Sequence, residues 1–315
     1  YFTSGGTESD NWALKGAALA HGRGRVVISA VEHPAVYESA RQLERLGFGL
    51  TVLPVDGEGF VSADDLAAVM DGDVFLVSVM SANNETGSIQ PVRELAGIAH
   101  GFGALFHTDA VQTAGALPVS VKEIGADMLS LSAHKFGGPK GFGALYVKNG
   151  VRLEPLHSGG EQERGRRGGT SDVAGAAGTA AALTAACAEM AAKSAEIRAL
   201  KDGFAARVLE GIPGARLHGT LDAARSLPGI VNFGFDGITG EELLFSLDLE
   251  GVCASNGSAC SAGSSAPSRT LLAMGLTAAE ARGAVRFSFG RTNTADDAAA
   301  AFAALERTVA RLRSR

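Results

Sequence analysis

The sequence predicts an α/β protein: a mainly parallel sheet forming a large domain, followed by a smaller α+β domain. Three observations predict it. Short apolar bursts alternate with helix signals through the first half, an alanine-rich stretch runs from residue 173 to about 209, and shorter strands and helices follow. Strands that alternate with helices require a mainly parallel sheet covered on both faces.

The bursts at residues 26–31, 51–55, 74–80, 104–108, 128–132 and 143–147 have the length and unbroken apolar character of buried strands. Between them, Pro34 opens a helix that Gly47 closes, Ser62-Ala63-Asp64-Asp65 resembles a capping box, and Pro91 starts a helix over 91–102. The alanine-rich stretch reads as one or two long helices, by propensity. Beyond it, strands are expected at 229–235, 252–255 and 285–289, and helices at 241–249, 267–274 and 295–313. The expected domains are residues 1–195 and 196–315, with the boundary inside the long helical stretch.

With 315 residues and 46% hydrophobic content, the chain can bury a core in each of two lobes. A net charge of -6 with scattered Lys and Arg gives no reason to expect a nucleic-acid or anionic-membrane partner. No apolar run approaches the roughly 20 residues that cross a bilayer. Cys187, Cys253 and Cys260 are odd in number and widely spaced, which argues against a disulfide framework and for a reducing compartment. The expected class is a soluble cytoplasmic protein. The chain opens at Tyr1 without methionine or a signal peptide, and an N-terminal segment is expected to be missing.

Ligands of open α/β sheets bind beyond the carboxyl ends of the strands. Unusual polar groups follow four of the bursts: Glu32-His33-Pro34, Ser81-Ala82-Asn83-Asn84, His107-Thr108-Asp109 with Gln112, and Ser132-Ala133-His134-Lys135. Singly, each has an ordinary explanation: a solvated loop charge, a helix cap, a histidine bonded within a loop. Gly137-Gly138-Pro139-Lys140-Gly141 lacks the Gly-Lys-Ser/Thr ending of a nucleotide loop, and the histidines and cysteines lack metal-ligand spacing. Together the groups suit pyridoxal 5'-phosphate (PLP), which needs a lysine for covalent attachment, a carboxylate against its pyridine nitrogen and donors for its phosphate. Lys135 serves if burial lowers its pKa, Asp109 suits the pyridine nitrogen, and Gly5-Gly6-Thr7, before a helix expected near Asp10, offers backbone N–H groups to the phosphate. Cys260 sits in Gly257-Ser258-Ala259-Cys260-Ser261-Ala262-Gly263, whose composition is that of an exposed loop where a thiolate can react. Cys187 and Cys253 lie in apolar runs and are expected to be inert.

These motifs, in this order and over nearly the whole chain, resemble the cysteine desulfurases, the NifS/IscS-like branch of the class V aminotransferase superfamily. The resemblance implies a PLP-dependent transferase fold, aspartate aminotransferase-like (fold type I). It matches Lys135 to the lysine that binds the cofactor, Asp109 to the partner of its ring nitrogen, and Gln112 to the partner of its phenolic oxygen. His33 matches the imidazole on the ring, which also moves protons; Thr7, Ser132 and His134 match phosphate contacts, which Gly6 joins through its backbone N–H. Thr170 matches a residue reaching the phosphate of the other subunit in a homodimer. Asn84, at the cofactor and substrate, and Arg286 match groups holding the substrate. Cys260 matches the nucleophile that takes sulfur from L-cysteine as a persulfide, releasing L-alanine and passing the sulfur to an iron–sulfur scaffold or a tRNA-thiolation enzyme. A selenocysteine lyase or another aminotransferase-like PLP enzyme would share Lys135 and Asp109, and Cys260 argues against the aminotransferase. A nucleotide-binding α/β protein and a non-catalytic scaffold on the same fold are the remaining alternatives.

Overall fold

The computed structural model describes residues 1–257 and 266–314. They divide into two compact units. The first comprises Tyr1–Pro54, Val61–Ala82 and Gln90–Met190; the second comprises Val55–Phe60, Asn83–Ile89 and Ala191–Arg315. The two short segments that join the second unit from within the first half have no compositional signature.

In chain order the first unit carries β1 (Phe2–Thr3), α1 (Gly6–His21), β2 (Arg25–Ser29), α2 (Pro34–Arg45) and β3 (Gly49–Leu53). It continues with α3 (Ala63–Val69), β4 (Val74–Ser78), α4 (Val92–Gly101), β5 (Leu105–Asp109), α5 (Val121–Ile124), β6 (Met128–Ser132), β7 (Gly143–Val147), one-turn α6 (Gln162–Gly165) and the start of α7 (Val173–Gly211). The sheet order is β1-β7-β6-β5-β4-β2-β3. β3, β2, β4, β5 and β6 run parallel, while β7 is antiparallel to both β6 and β1. All five residues of β4 are buried, as a strand covered on both faces requires. Leu14, Ile28, Leu43 and Leu76 are fully buried in this core, each contributing about 1.5–3 kcal/mol relative to exposure.

The second unit holds a three-stranded antiparallel sheet, β10-β9-β8, from β8 (Ala215–His218), β9 (Ile230–Phe235) and β10 (Ala284–Ser288). Helices α8 (Gly240–Leu249), α9 (Arg269–Ala273), α10 (Ala278–Arg282) and α11 (Ala295–Arg313) complete it. Phe204, Phe233 and Phe287 form its buried centre, the rings of Phe204 and Phe287 lying 4.9 Å apart. Thr294 starts α11 with a capping box to Asp297, and Arg311 and Arg313 complement the dipole in its last turn.

Several expectations are corrected. α1 starts at Gly6, four residues before Asp10, because Gly5 serves as its N-cap. The strand expected at 252–255 is reduced to a bridge between Ser255 and Arg286. β8 and the short helices α5 and α10 carry too weak an apolar pattern to be read. The alanine-rich stretch is one helix, and it is long and apolar enough to cross a membrane by length and composition, contrary to the expectation that no run qualifies. Alanine counts as apolar on a hydropathy scale although its methyl buries little area. Cys187 and Cys253 are both exposed rather than set in apolar surroundings. Cys187 sits on an outward face of α7 beside buried Ala186, and Cys253 falls where the expected strand does not form.

Candidate active site

Parallel strands deliver their carboxyl ends to one edge of the sheet, and the order β6-β5-β4-β2 sets the predicted residues in a row there. Ser132 closes β6 and Asp109 closes β5; β2 ends at Ser29, followed by Glu32 and His33. Adjacent strands are about 4.8 Å apart, so the three steps from β6 to β2 span about 14 Å, room for a ring cofactor and the groups that flank it.

Lys135 lies in a short 3₁₀ turn, Ala133–Phe136, directly after β6. Ala133 and Phe136 are buried and hold the turn, while His134 and Lys135 are exposed. Exposure, in place of the expected burial, leaves the Lys135 amine accessible from this edge. Its charge stabilises the Asp109 carboxylate. Asp109 is only 5% exposed, and burial pushes its pKa up to about 6 even though Oδ1 accepts from the Val111 N–H at 2.8 Å. A buried carboxylate that resists ionisation becomes a strong partner for a cationic N–H.

The amino end of α1 meets the same edge. Gly5 caps the helix with φ 149° and no side-chain cap bond, so the N–H groups of the first turn point outward uncapped. A Cβ on Gly6 would lie 2.8 Å from Val111 Cγ2 and 3.6 Å from Ser132 Cβ, so glycine permits this approach. Thr7 is exposed beside it, and Ser132 Oγ and His134 Nδ1 are 2.9 Å apart. Burial, reinforced by Lys135 and Lys140, lowers the His134 pKa. His33 caps α2, its Nδ1 accepting from the Ala35 N–H at 3.1 Å, which sets the neutral ring's proton on Nε2. Gln112 is half-buried just beyond Asp109. An uncapped helix start, a buried carboxylate and an accessible lysine at one edge fit PLP.

The remaining predicted residues are carried by other segments of the chain. Thr170 is exposed, in a segment held to α1 by Arg167, whose Nε and Nη2 grip Glu8 at 3.0 and 3.2 Å. Burial opposes Glu8 ionisation, but the bonds from Arg167 and Ser4 prevail and lower its pKa. Asn84 and Arg286 belong to the second unit, where Arg286 Nη1 donates to the Asn84 carbonyl at 2.7 Å. Cys260 lies outside the described residues. No group of three or more His, Cys, Asp or Glu among the described residues could hold a metal ion.

The sequence gives little notice of the layer behind Asp109. His107, two residues earlier on β5, is fully buried between Ser78 Oγ at 2.8 Å and Ser130 Oγ at 3.0 Å, and burial pushes its pKa down to about 3. Asp10 of α1 sits 3.7 Å from His107 Nε2 and bonds Ser130. Burial first, then the Asp109 and Glu32 charges, raises its pKa well above the usual range. Only the period-two spacing of His107 and Asp109 hinted at this layer.

Folded Asp10 therefore keeps a proton that the unfolded chain releases above about pH 4, so it lowers stability as pH rises through that range. Asp10→Asn keeps the shape and removes this cost. It is expected to stabilise the protein by about 1 kcal/mol or more at pH 8 and by less toward pH 4. Denaturant melts at the two pH values check this, and an equal or negative effect at pH 8 would refute it.

The class-V aminotransferase family matches residues 1–300. The chain is 45% identical over 299 residues to the cysteine desulfurase IscS of Clostridium botulinum, covering 94% of this chain and 75% of that protein. It is 46% identical over 315 residues to the cysteine desulfurase IscS of Dictyoglomus turgidum, covering 99% and 79%. A solved NifS-like protein superposes with a TM-score of 0.91 at 35% identity, covering 98% of this chain and 82% of that one.

Proposed function

The chain belongs to the class-V aminotransferase family, among its cysteine desulfurases, and on that premise we propose that it removes sulfur from L-cysteine with Cys260 as the acceptor. The row of Lys135, Asp109 and His33 after the parallel strands β6, β5 and β2, with β4 between the last two, beside the uncapped start of α1, carries this reading. Lys135 would hold PLP, Asp109 its ring nitrogen and Gln112 its phenolic oxygen, while Gly6, Thr7, Ser132 and His134 bind its phosphate. Bound there, PLP supplies an electron sink for charge developing at the substrate's α-carbon.

The chain's own groups do the rest. His33, its Nδ1 fixed by the Ala35 N–H, presents one defined tautomer for proton movement. Arg286 and Asn84 hold the substrate carboxylate, Arg286 through a two-pronged guanidinium. The Cys260 thiolate forms an S–S bond as the substrate's C–S bond breaks, and the carbon fragment takes up protons and leaves as L-alanine. The first unit would thus bind cofactor and the second would carry Cys260 and Arg286. The persulfide passes to an acceptor in iron–sulfur assembly or tRNA thiolation, in the cytoplasm.

A homodimer completes the proposal, with Thr170 at the partner's cofactor phosphate. Its support is the largely exposed alanine-rich first part of α7, where Val173 is 74% exposed, an apolar surface that a second copy can cover. The test incubates the PLP-loaded protein with L-cysteine and a reductant over a dilution series, following alanine, sulfide and sedimentation. Alanine and sulfide should form in equal amounts, with turnover falling as the dimer dissociates. PLP-loaded protein that makes no alanine overturns the activity, and a fully active monomer overturns the dimer.

A further inference from the structure

Within the second unit, Glu85 has its backbone fixed from three sides. Asn83 Oδ1 accepts from the Glu85 and Thr86 N–H groups at 2.8 and 2.9 Å, and Asn232 Nδ2 donates to the Glu85 carbonyl at 3.3 Å. Arg286 Nη1 donates to the carbonyl of the preceding residue, Asn84. The Glu85 side chain is buried, 7% exposed, and ends at two points of the chain that are distant in sequence from it. Its Oε2 accepts from Ser268 Oγ at 2.5 Å. Gly257, at φ 63°, comes so near that a Cβ there would lie 3.1 Å from the same Oε2. Thr270 adds a hydrogen bond, and Arg286 and Arg269 add positive charge. Just upstream, Ser255 and Arg286 exchange both backbone bonds, at 3.1 and 2.6 Å.

Gly257 and Ser268 bracket Cys260 in sequence. One buried carboxylate therefore bonds the chain after the proposed sulfur acceptor and lies close against the chain before it, and its neighbours touch the residue proposed to hold the substrate. We propose that Glu85 is a positioning residue for sulfur transfer: it fixes both ends of the segment carrying Cys260 relative to Arg286. This rests on the reading that Cys260 takes the sulfur. A nucleophile carried between two fixed ends has an effective concentration at its target set by where those ends are held, and a shift of about 1 Å can cost a hundredfold in rate. Glycine at 257 leaves room for the carboxylate, and the Ser268 hydroxyl, which also caps α9 by accepting from the Leu271 N–H at 3.2 Å, ties the second end to a helix start.

The test uses PLP-loaded wild type, Glu85→Ala, Glu85→Gln and Ser268→Ala. Cofactor occupancy and L-cysteine affinity are read from the cofactor's visible band, and sulfur arriving on each cysteine peptide is read by mass spectrometry in a single turnover. Glu85→Ala should slow sulfur arrival on Cys260 by about 30- to 100-fold, with cysteine affinity within about threefold of wild type. Glu85→Gln keeps an acceptor oxygen for Ser268 and should return to within about fivefold, and Ser268→Ala should fall between. In the cofactor-free protein, elastase should cut between Gly257 and Ser268 several-fold faster in Glu85→Ala than in wild type. Unchanged sulfur transfer in Glu85→Ala overturns the proposal. So does a loss of cofactor and cysteine binding in step with transfer, which would make Glu85 a fold-holding residue only. Sulfur mapped in wild type to Cys187 or Cys253 instead overturns the Cys260 reading, whatever the Glu85 variants do.

Discussion

Lys135→Ala is expected to abolish the cofactor's visible band and to cut alanine formation from L-cysteine by at least about a thousandfold, while the protein stays folded. The fold can spare the side chain. Lys135 is exposed, and its 3₁₀ turn is held by buried Ala133 and Phe136 and by the Gly138 N–H bonded to the Ala133 carbonyl at 2.8 Å. Removing an exposed side chain of this kind changes stability by about 0.5 kcal/mol or less. The cofactor site cannot spare it, because the amine is the group expected to bind PLP covalently. Lys135→Arg separates charge from nucleophilicity: the guanidinium keeps the positive charge that favours ionised Asp109 but stays protonated at any working pH. Both variants should lose the band. A Lys135→Arg protein that retained covalent cofactor, or a Lys135→Ala protein with an unchanged spectrum, would remove the assignment of Lys135.

The parallel core was legible because β2, β4, β5 and β6 are almost wholly buried and so start from apolar runs, whereas β3, at the sheet edge, is only partly buried. β6 and β7 coincide with the expected bounds, and α11 does so because Thr294 and the basic last turn mark its ends. β8, with the sequence Ala-Arg-Leu-His, is a half-exposed edge strand whose short alternation falls below any usable signal. The residues around Asp109 divide in the same way. Lys135, Asp109 and His33 sit at strand ends, where chain order alone predicts a shared edge. Asp10 and Glu85 act through neighbours far away in sequence, Ser130 and His107 for the first and Gly257 and Ser268 for the second, and no local pattern announces such contacts. Apolar neighbours in sequence were a poor guide for Cys187 and Cys253: on a helix or an irregular strand end, the side chain can face solvent while its neighbour is buried.

Cys260→Ala is expected to retain PLP and to bind L-cysteine with near-normal affinity, because Lys135, Asp109, Asn84 and Arg286 are untouched. Alanine formation should nonetheless fall by at least about a hundredfold, since no thiolate remains at that position to take the sulfur. Exposure does not single out Cys260, because Cys187 and Cys253 are accessible too. The distinction rests on chain position. Only Cys260 lies between Gly257 and Ser268, whose contacts with Glu85 lead to Arg286 through the adjacent Asn84 carbonyl and the Ser255 bridge. Cys187 follows Ala186, which clusters with Phe136 in the first unit, and Cys253 precedes the Ser255 bridge. Cys187→Ala and Cys253→Ala should therefore turn over within about twofold of wild type, the ordinary range for surface changes away from a site. If any accessible thiol could serve, the three variants would behave alike. A single turnover with L-cysteine, followed by peptide mass mapping, should place one added sulfur on the Cys260 peptide. Normal alanine formation by Cys260→Ala would sink the assignment, because the sulfur would then leave L-cysteine without the thiol proposed to receive it.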